Sequence, residues 1–325
     1  MAPGAAAVCA PRHRAGYLRA MPARSRARLQ IAAAAMLFST GGAAIKAAEF
    51  DGWQIASFRS GVAALAILLM TPAARRGWST RAVLVGFAYA ACLTLFVLAN
   101  RLTTAANTIF LQSTAPLYLL VLGPWLLKEP VRRQDTALMA AVGLGLAVFF
   151  VGAQTPVATA PDPVTGNILA LVSGFFWALT VCGLRWMGAA EGGHGSAVAA
   201  VVSGNITAFL VSLPMALPLG PHPPVDWAVI VYLGVFQIAL AYVLVTSGLR
   251  HILALEASLI LLIEPVLNPV WAWLLQGERP GAWALLGGGV ILGATALKGW
   301  LDARSQREVV PPAELAVETG REPAA

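Results

Sequence analysis

An all-α integral membrane protein is the fold class this sequence predicts, with ten transmembrane helices forming two five-helix repeats of inverted topology. Three observations predict it: an apolar composition too large for one soluble core, a one-sided distribution of basic residues, and an internal repeat. The chain has 325 residues, 58% of them hydrophobic and 11% charged, where a soluble domain carries about 25% charge. Mean hydropathy is +0.73, and apolar runs recur from Gln30 to Trp300. A bilayer accepts such runs, since a spanning helix needs roughly 20 mostly apolar residues. The composition excludes a soluble enzyme, a secreted disulfide scaffold and a disordered chain. The three cysteines (Cys9, Cys92, Cys182) are too few and scattered for a disulfide framework or a metal cluster. The net charge of +7 is read here by position, and not as a nucleic-acid signal.

From the N-terminus, residues 1–29 form a basic arm with Arg12, Arg14, Arg19, Arg24, Arg26 and Arg28 and no acid up to Arg28. These arginines run straight into a full-length apolar segment, so a cytoplasmic anchor is expected rather than a cleaved signal; an organelle transit peptide is the alternative. Apolar segments then fall at about 30–48, 53–72, 82–99, 104–127, 134–153, 167–187, 196–218, 226–247, 253–276 and 281–300. Residues 30–153 make the first five-helix repeat, 154–166 a Pro-rich outside loop, 167–300 the second repeat, and 301–325 a tail expected to be disordered. With a cytoplasmic N-terminus, the six arm arginines, Arg75, Arg76, Arg81, Lys128, Arg132, Arg133, Arg185, Arg250, Lys298, Arg304, Arg307 and Arg321 all face inside. Only Arg101 and Arg279 lie at outside ends, while Lys46 and Arg59 sit within or at the edge of spans. Adding or losing one span would scramble that asymmetry. The expectation is therefore a multi-pass protein of the inner (plasma) membrane with both termini cytoplasmic.

The repeat is read from Arg101–Glu129 against Arg250–Glu278: Arg101 maps to Arg250, Pro116 to Pro265 and Glu129 to Glu278 without a gap. "FSTGGAAIK" at 38–46 corresponds loosely to "WALTVCGLR" at 177–185, aligning Lys46 with Arg185. Five helices per repeat is odd, so the second half enters from the opposite side. Such inverted repeats recur in secondary transporters, with a substrate site near the midplane between halves; a duplicated scaffold is the alternative.

"STAPLYLLVLGPWLLKEP" and "IEPVLNPVWAWLLQGERP", each closing on a Glu after a proline-bearing helix, and "SFRSG" at 57–61 resemble the EamA group of the drug/metabolite transporter superfamily. The resemblance covers about residues 31–298. It implies a ten-helix basket around a central cavity and the export or uptake of small organic solutes, without naming one.

A charge at the bilayer centre costs about 2.5–3.5 kcal/mol on insertion scales and marks a cavity or a partner. Glu264 lies deep in the ninth segment, directly before Pro265, with Pro269 as a second helix break. Glu264, Asn268 and the freed carbonyls form a polar notch, and Glu264 is read as a proton carrier, a partner for a cationic group, or a structural pair to another helix. The equivalent first-half notch is Asn107, Gln112, Ser113 and Thr114 before Pro116, with Ala115 where Glu264 stands. Gln112 and Glu264 are the first-choice pair, against ordinary interhelical hydrogen bonding. Glu256, the repeat mate of Asn107, is taken as interfacial.

Arg59 is expected to meet a substrate carboxylate, to neutralise Glu264, or to serve structure alone. Lys46 could do the same, but snorkelling to the interface is the reading preferred for it. Trp177, Tyr242 and Gln237 are expected as aromatic and polar walls. Trp53, Trp78, Trp227 and Trp300 are assigned to the interfacial belts. Glu129 and Glu278 are expected to cap or pair at the membrane edge. Gly289-x-x-x-Gly293 permits close contact, either within the bundle or across a homodimer. No metal, cofactor or nucleic acid is expected: the histidines are isolated, and there is no phosphate-binding loop for an ATP-driven pump. A membrane enzyme lacks the reactive cluster it needs, and a channel would repeat its polar ring in both halves. The expected partners are a small-molecule solute and the lipid bilayer.

Overall fold

The computed structural model describes residues 23–122, 124–125, 133–151, 156–188, 193–249, 251–252, 257 and 260–309. Regular structure among them is helical, apart from one β-bridge between Val157 and Ala160. The first half contains α1 (Ala23–Ser39), α2 (Gly41–Ala47), α3 (Gly52–Met70), α4 (Thr80–Leu102), α5 (Ala105–Gln112), α6 (Ala115–Leu122) and α7 (Arg133–Val151). The second contains α8 (Pro163–Gly188), α9 (Gly193–Ala216), α10 (Pro224–Val231), a π-helical stretch Tyr232–Leu240, α11 (Ala241–Gly248), α12 (Ile263–Gln276) and α13 (Ala282–Val309). Among the described residues, six runs are long and apolar enough to cross a membrane: Ala23–Ala47, Gly52–Met70, Thr80–Leu102, Pro163–Leu184, Gly195–Ala216 and Pro224–Gly248. Thr136–Val148 and Ala282–Lys298 are shorter apolar helices. The protein is thus a multi-pass, all-helical membrane protein.

Local chemistry sets several boundaries. Asp51 starts α3 with a reciprocal capping box: Gln54 N–H donates to Asp51 Oδ1 at 2.8 Å, and Asp51 N–H to Gln54 Oε1 at 3.1 Å. The hydroxyls of Ser79 and Thr104 cap α4 and α5 by accepting from Ala82 and Asn107 N–H, each at 3.1 Å. Gly277 closes α12 in the left-handed region at φ +67°, where a side chain would be strained.

Packing relates the halves. α4 lies against α8 and α9, as the π stretch and α11 lie against α1 and α3. α5 and α6 pack on α8, as α12 packs on α1 and α2. The repeat mates α3 and α9 contact each other, and so do α7 and α13. α3 and α9 run antiparallel. Gln54 Nε2 donates to Ala216 O at 3.3 Å and Ser57 Oγ to Phe209 O at 3.0 Å, so the start of α3 meets the end of α9. In the other pair, a Cβ on Gly145 would meet Ile291 Cγ1 at 2.9 Å and Gly287 O at 3.0 Å, and Leu138 and Val142 share a buried cluster with Ile291.

Two expectations about the ends need correction. α1 begins at Ala23, inside the arm, because the stretch from Ala23 already has helix-forming Ala and Arg. α13 continues to Val309, so the first residues of the expected tail are helical. Among the described residues, nothing lies within 4 Å of a Cβ placed on Gly289 or Gly293, so the within-bundle alternative gains no support there.

Candidate functional site

Two helix breaks shape the interior. The first splits α1 from α2 at Thr40, whose Oγ1 donates to Leu37 O at 2.7 Å and lies 2.8 Å from the Tyr232 hydroxyl. The second splits α5 from α6, where Ser113 Oγ and Thr114 Oγ1 donate to Ile109 O and Leu111 O, each at 2.7 Å. Both carbonyls also accept from a backbone amide, Ser113 N–H at 2.9 Å and Thr114 N–H at 3.2 Å, so the hydroxyls reinforce the turn that ends α5 just before Pro116, which has no amide of its own. Residues 113–114 map by the repeat onto 262–263, where α12 starts. Pro116 and Pro265 therefore sit in the first turn after a break, where a missing N–H costs little. Pro269 lies inside α12.

At the centre, Glu264 stands in the first turn of α12 and is partly buried. Among the described residues it makes no hydrogen bond or ion pair, and it lies within electrostatic reach of Cys92 and Tyr242. Gln112, the expected partner of Glu264, instead donates to Ser173 Oγ at 2.9 Å and to Cys92 Sγ at 3.5 Å. Aromatic rings surround this point: Tyr242 meets Phe38 and Tyr89 edge-on at 5.5 and 5.8 Å, and Trp177 lies 6.4 Å from Tyr89. Arg59, from α3, is 1% exposed. Its Nη2 donates to Leu93 O at 3.1 Å, its Nε has no hydrogen-bond partner, and Tyr89 and Cys92 lie within electrostatic reach. Neither Arg59 nor Lys46 pairs with Glu264, so the expectation that one of them neutralises it is corrected.

One turn along α12, Asn268 is fully buried with neither amide atom hydrogen-bonded. Asn268 Oδ1 and Asn100 Oδ1, itself without a partner, crowd Gly42 so closely that a Cβ there would meet them at 2.7 and 3.1 Å. Gln237, in the π stretch, presses on Gly41, and its Oε1 is unpartnered. Four buried amide atoms around the break in the first helix thus lack partners. Buried polar groups are ordinarily satisfied, so this layer is poised for a ligand or water.

Beyond Asn268, a buried ion pair ties several segments together at the end of α12. Lys46 Nζ lies 2.8 Å from Glu278 Oε1, with their side chains 5% and 2% exposed. The same ammonium donates to Thr103 O at 2.9 Å and to Thr159 O. Glu278 Oε2 accepts from Ala105 N–H at 2.9 Å. Lys46 therefore does not snorkel, because acceptors from three segments meet its ammonium inside the protein. Asn107 belongs to this end too: its Nδ2 donates to Thr103 Oγ1 at 3.1 Å and Asn167 Oδ1 at 3.2 Å, away from Gln112. Glu129 and Glu256 lie outside the described residues.

Sequence reading missed Tyr89, Cys92, Asn100, Ser173 and the Lys46–Glu278 pair as interior partners. A signal existed only for the pair: opposite charges near span ends assigned to the same membrane face. Elsewhere, an apolar groove lies between α3 and α9, lined by Gly61, Leu65 and Phe209 among others.

The EamA-like transporter family matches residues 26–151 and 164–299. A solved structure titled only "Crystal structure of protein" aligns with a TM-score of 0.56 at 19% identity, covering 86% of this chain and 99% of its own. That likeness concerns the fold alone. No curated protein matches the chain.

Proposed function

Because the chain belongs to the EamA-like transporter family, we propose that it is a secondary carrier that moves a small organic solute by alternating access. Its halves rock about the polar centre between the two helix breaks, in ten spans of inverted topology with both termini on the cytoplasmic side of the inner membrane. The antiparallel packing of repeat mates α3 and α9 supports the inversion. The observation that carries the reading is Glu264, an intramembrane carboxyl with no ion pair among the described residues, beside tyrosines and one turn from the unpartnered Asn268 amide. A carboxyl in that position exchanges a proton when the surrounding cavity opens to water, which couples solute movement to a pH gradient. Arg59 supplies the opposite charge, with an unused Nε for an anionic group of the solute. Gln112, Trp177, Tyr242 and Gln237 line the path, and Asn107 supports its closed end.

Two measurements test this. The first is thermal unfolding of the detergent-solubilised protein against amino acids, amines, organic acids, nucleosides and sugars. A true solute at 100 times its Kd stabilises by about 2.7 kcal/mol, and silence across the library would weigh against transport. The second is uptake of that solute into proteoliposomes under an imposed pH gradient. Glu264→Gln is expected to abolish the pH dependence while the protein stays folded; an unchanged dependence removes Glu264 from the coupling. Arg59→Ala should weaken the affinity for a solute with an anionic group, and unaltered affinity would return Arg59 to a structural role.

A further inference from the structure

The interior at one end of the molecule closes on a buried ion pair that the candidate site does not use. Lys46 is the penultimate residue of α2, and Glu278 follows α12 by two residues. The Lys46 ammonium pairs with Glu278 Oε1 at 2.8 Å and donates hydrogen bonds to Thr103 O and Thr159 O. Glu278 uses its second oxygen on Ala105 N–H, the first amide of α5, where the helix dipole favours a negative charge. Two further bonds brace the junction. Gln276 Nε2 donates to Ala43 O at 3.0 Å, and Arg101 Nη1 to Ala48 O at 3.1 Å. The tie thus joins the end of α2, the α4–α5 corner and the linker between halves to the end of α12, which belongs to the other half.

We propose that Lys46 and Glu278 form the gate on this face, a charge latch between the halves that holds the path shut and must part for the solute to pass. The inference rests on the alternating-access reading, because only relative movement of the halves gives the latch something to release. The geometry suits a switch. A buried pair holds firmly while both partners are in place, and replacing both by neutral groups leaves no lone charge inside. Separation lets the ammonium and the carboxylate hydrate together, so water entering the path stabilises the open state.

The native Cys92 thiol reports on the path, since it is buried at the centre beside Gln112 and Ser173. In a Cys9→Ser, Cys182→Ala background, a membrane-impermeant maleimide is applied to the latch face and, separately, to the opposite face of oriented vesicles. The double neutral variant Lys46→Met/Glu278→Gln is compared with its parent and with the charge swap Lys46→Glu/Glu278→Lys. The latch predicts labelling of Cys92 from its own face faster by about tenfold or more in the double neutral variant, with no rise from the opposite face. The swap should return the rate toward that of the parent. Unchanged labelling in the double neutral variant overturns the proposal. So does an equal rise from both faces, which would mean general loosening. The readout needs no solute: face-selective opening in a protein that moves nothing would keep the latch and discard the carrier.

Discussion

Lys46, Glu278 and Arg59 are buried charges with different accounts to settle. Removing one partner of a buried pair leaves the other desolvated and alone, at a cost of roughly 3–5 kcal/mol. Lys46→Met by itself should therefore lower the thermal unfolding midpoint markedly, and adding Glu278→Gln should recover most of the loss. A single variant as stable as the parent would show that the pair is hydrated. Arg59 has no carboxylate among its described partners, only the Leu93 carbonyl and nearby Tyr89 and Cys92. Replacing it removes a burden as well as a function, so Arg59→Leu should be neutral or stabilising in unfolding assays even where transport is lost. A large loss of stability would mean that Arg59 chiefly holds α3 to α4.

Among the elements, α4 runs between α8 and α9 with α3 beside it. Its approach to α9 depends on Gly86 and Gly204. A Cβ on Gly86 would fall 2.5 Å from Ser203 Oγ, and one on Gly204 would fall 2.6 Å from the Tyr89 ring. Gly204→Val should cost about 1–3 kcal/mol through overpacking and displace Tyr89 from Tyr242. Gly289→Val, where nothing among the described residues lies within 4 Å of an added Cβ, should be nearly silent, and thermal unfolding distinguishes the two. The break before Pro116 was legible because proline removes an amide donor. The break at Thr40 was not: no proline marks it, and it arises where Gly41 and Gly42 yield to amides from Gln237, Asn100 and Asn268.

For the whole molecule, the contacts that hold each half run mainly to the other half: α4 to α8 and α9, α3 to α9, α7 to α13, and α1 to α11 and α12. A chain ending near residue 153 should therefore be degraded or aggregate when expressed alone. Co-expressing residues 1–158 with 159–325 should restore a folded, extractable protein, as measured by size-exclusion chromatography. A stable isolated first half would contradict this interdependence.

Membrane residence, the helical class and the two-fold repeat were determined by the sequence alone, because apolar run length, basic-residue placement and a constant offset are properties of order along the chain. The residues most remarkable in isolation, Glu264, Arg59, Gln112 and Asn268, could be named in the same way. Who meets whom was decided only by tertiary structure. Gln112 turns to Ser173, Asn107 to Asn167, and Lys46 to a carboxylate 232 positions away. The reason is physical: in an apolar medium a polar side chain takes whatever partner the packing of distant helices brings within about 3 Å, and no local pattern records that distance.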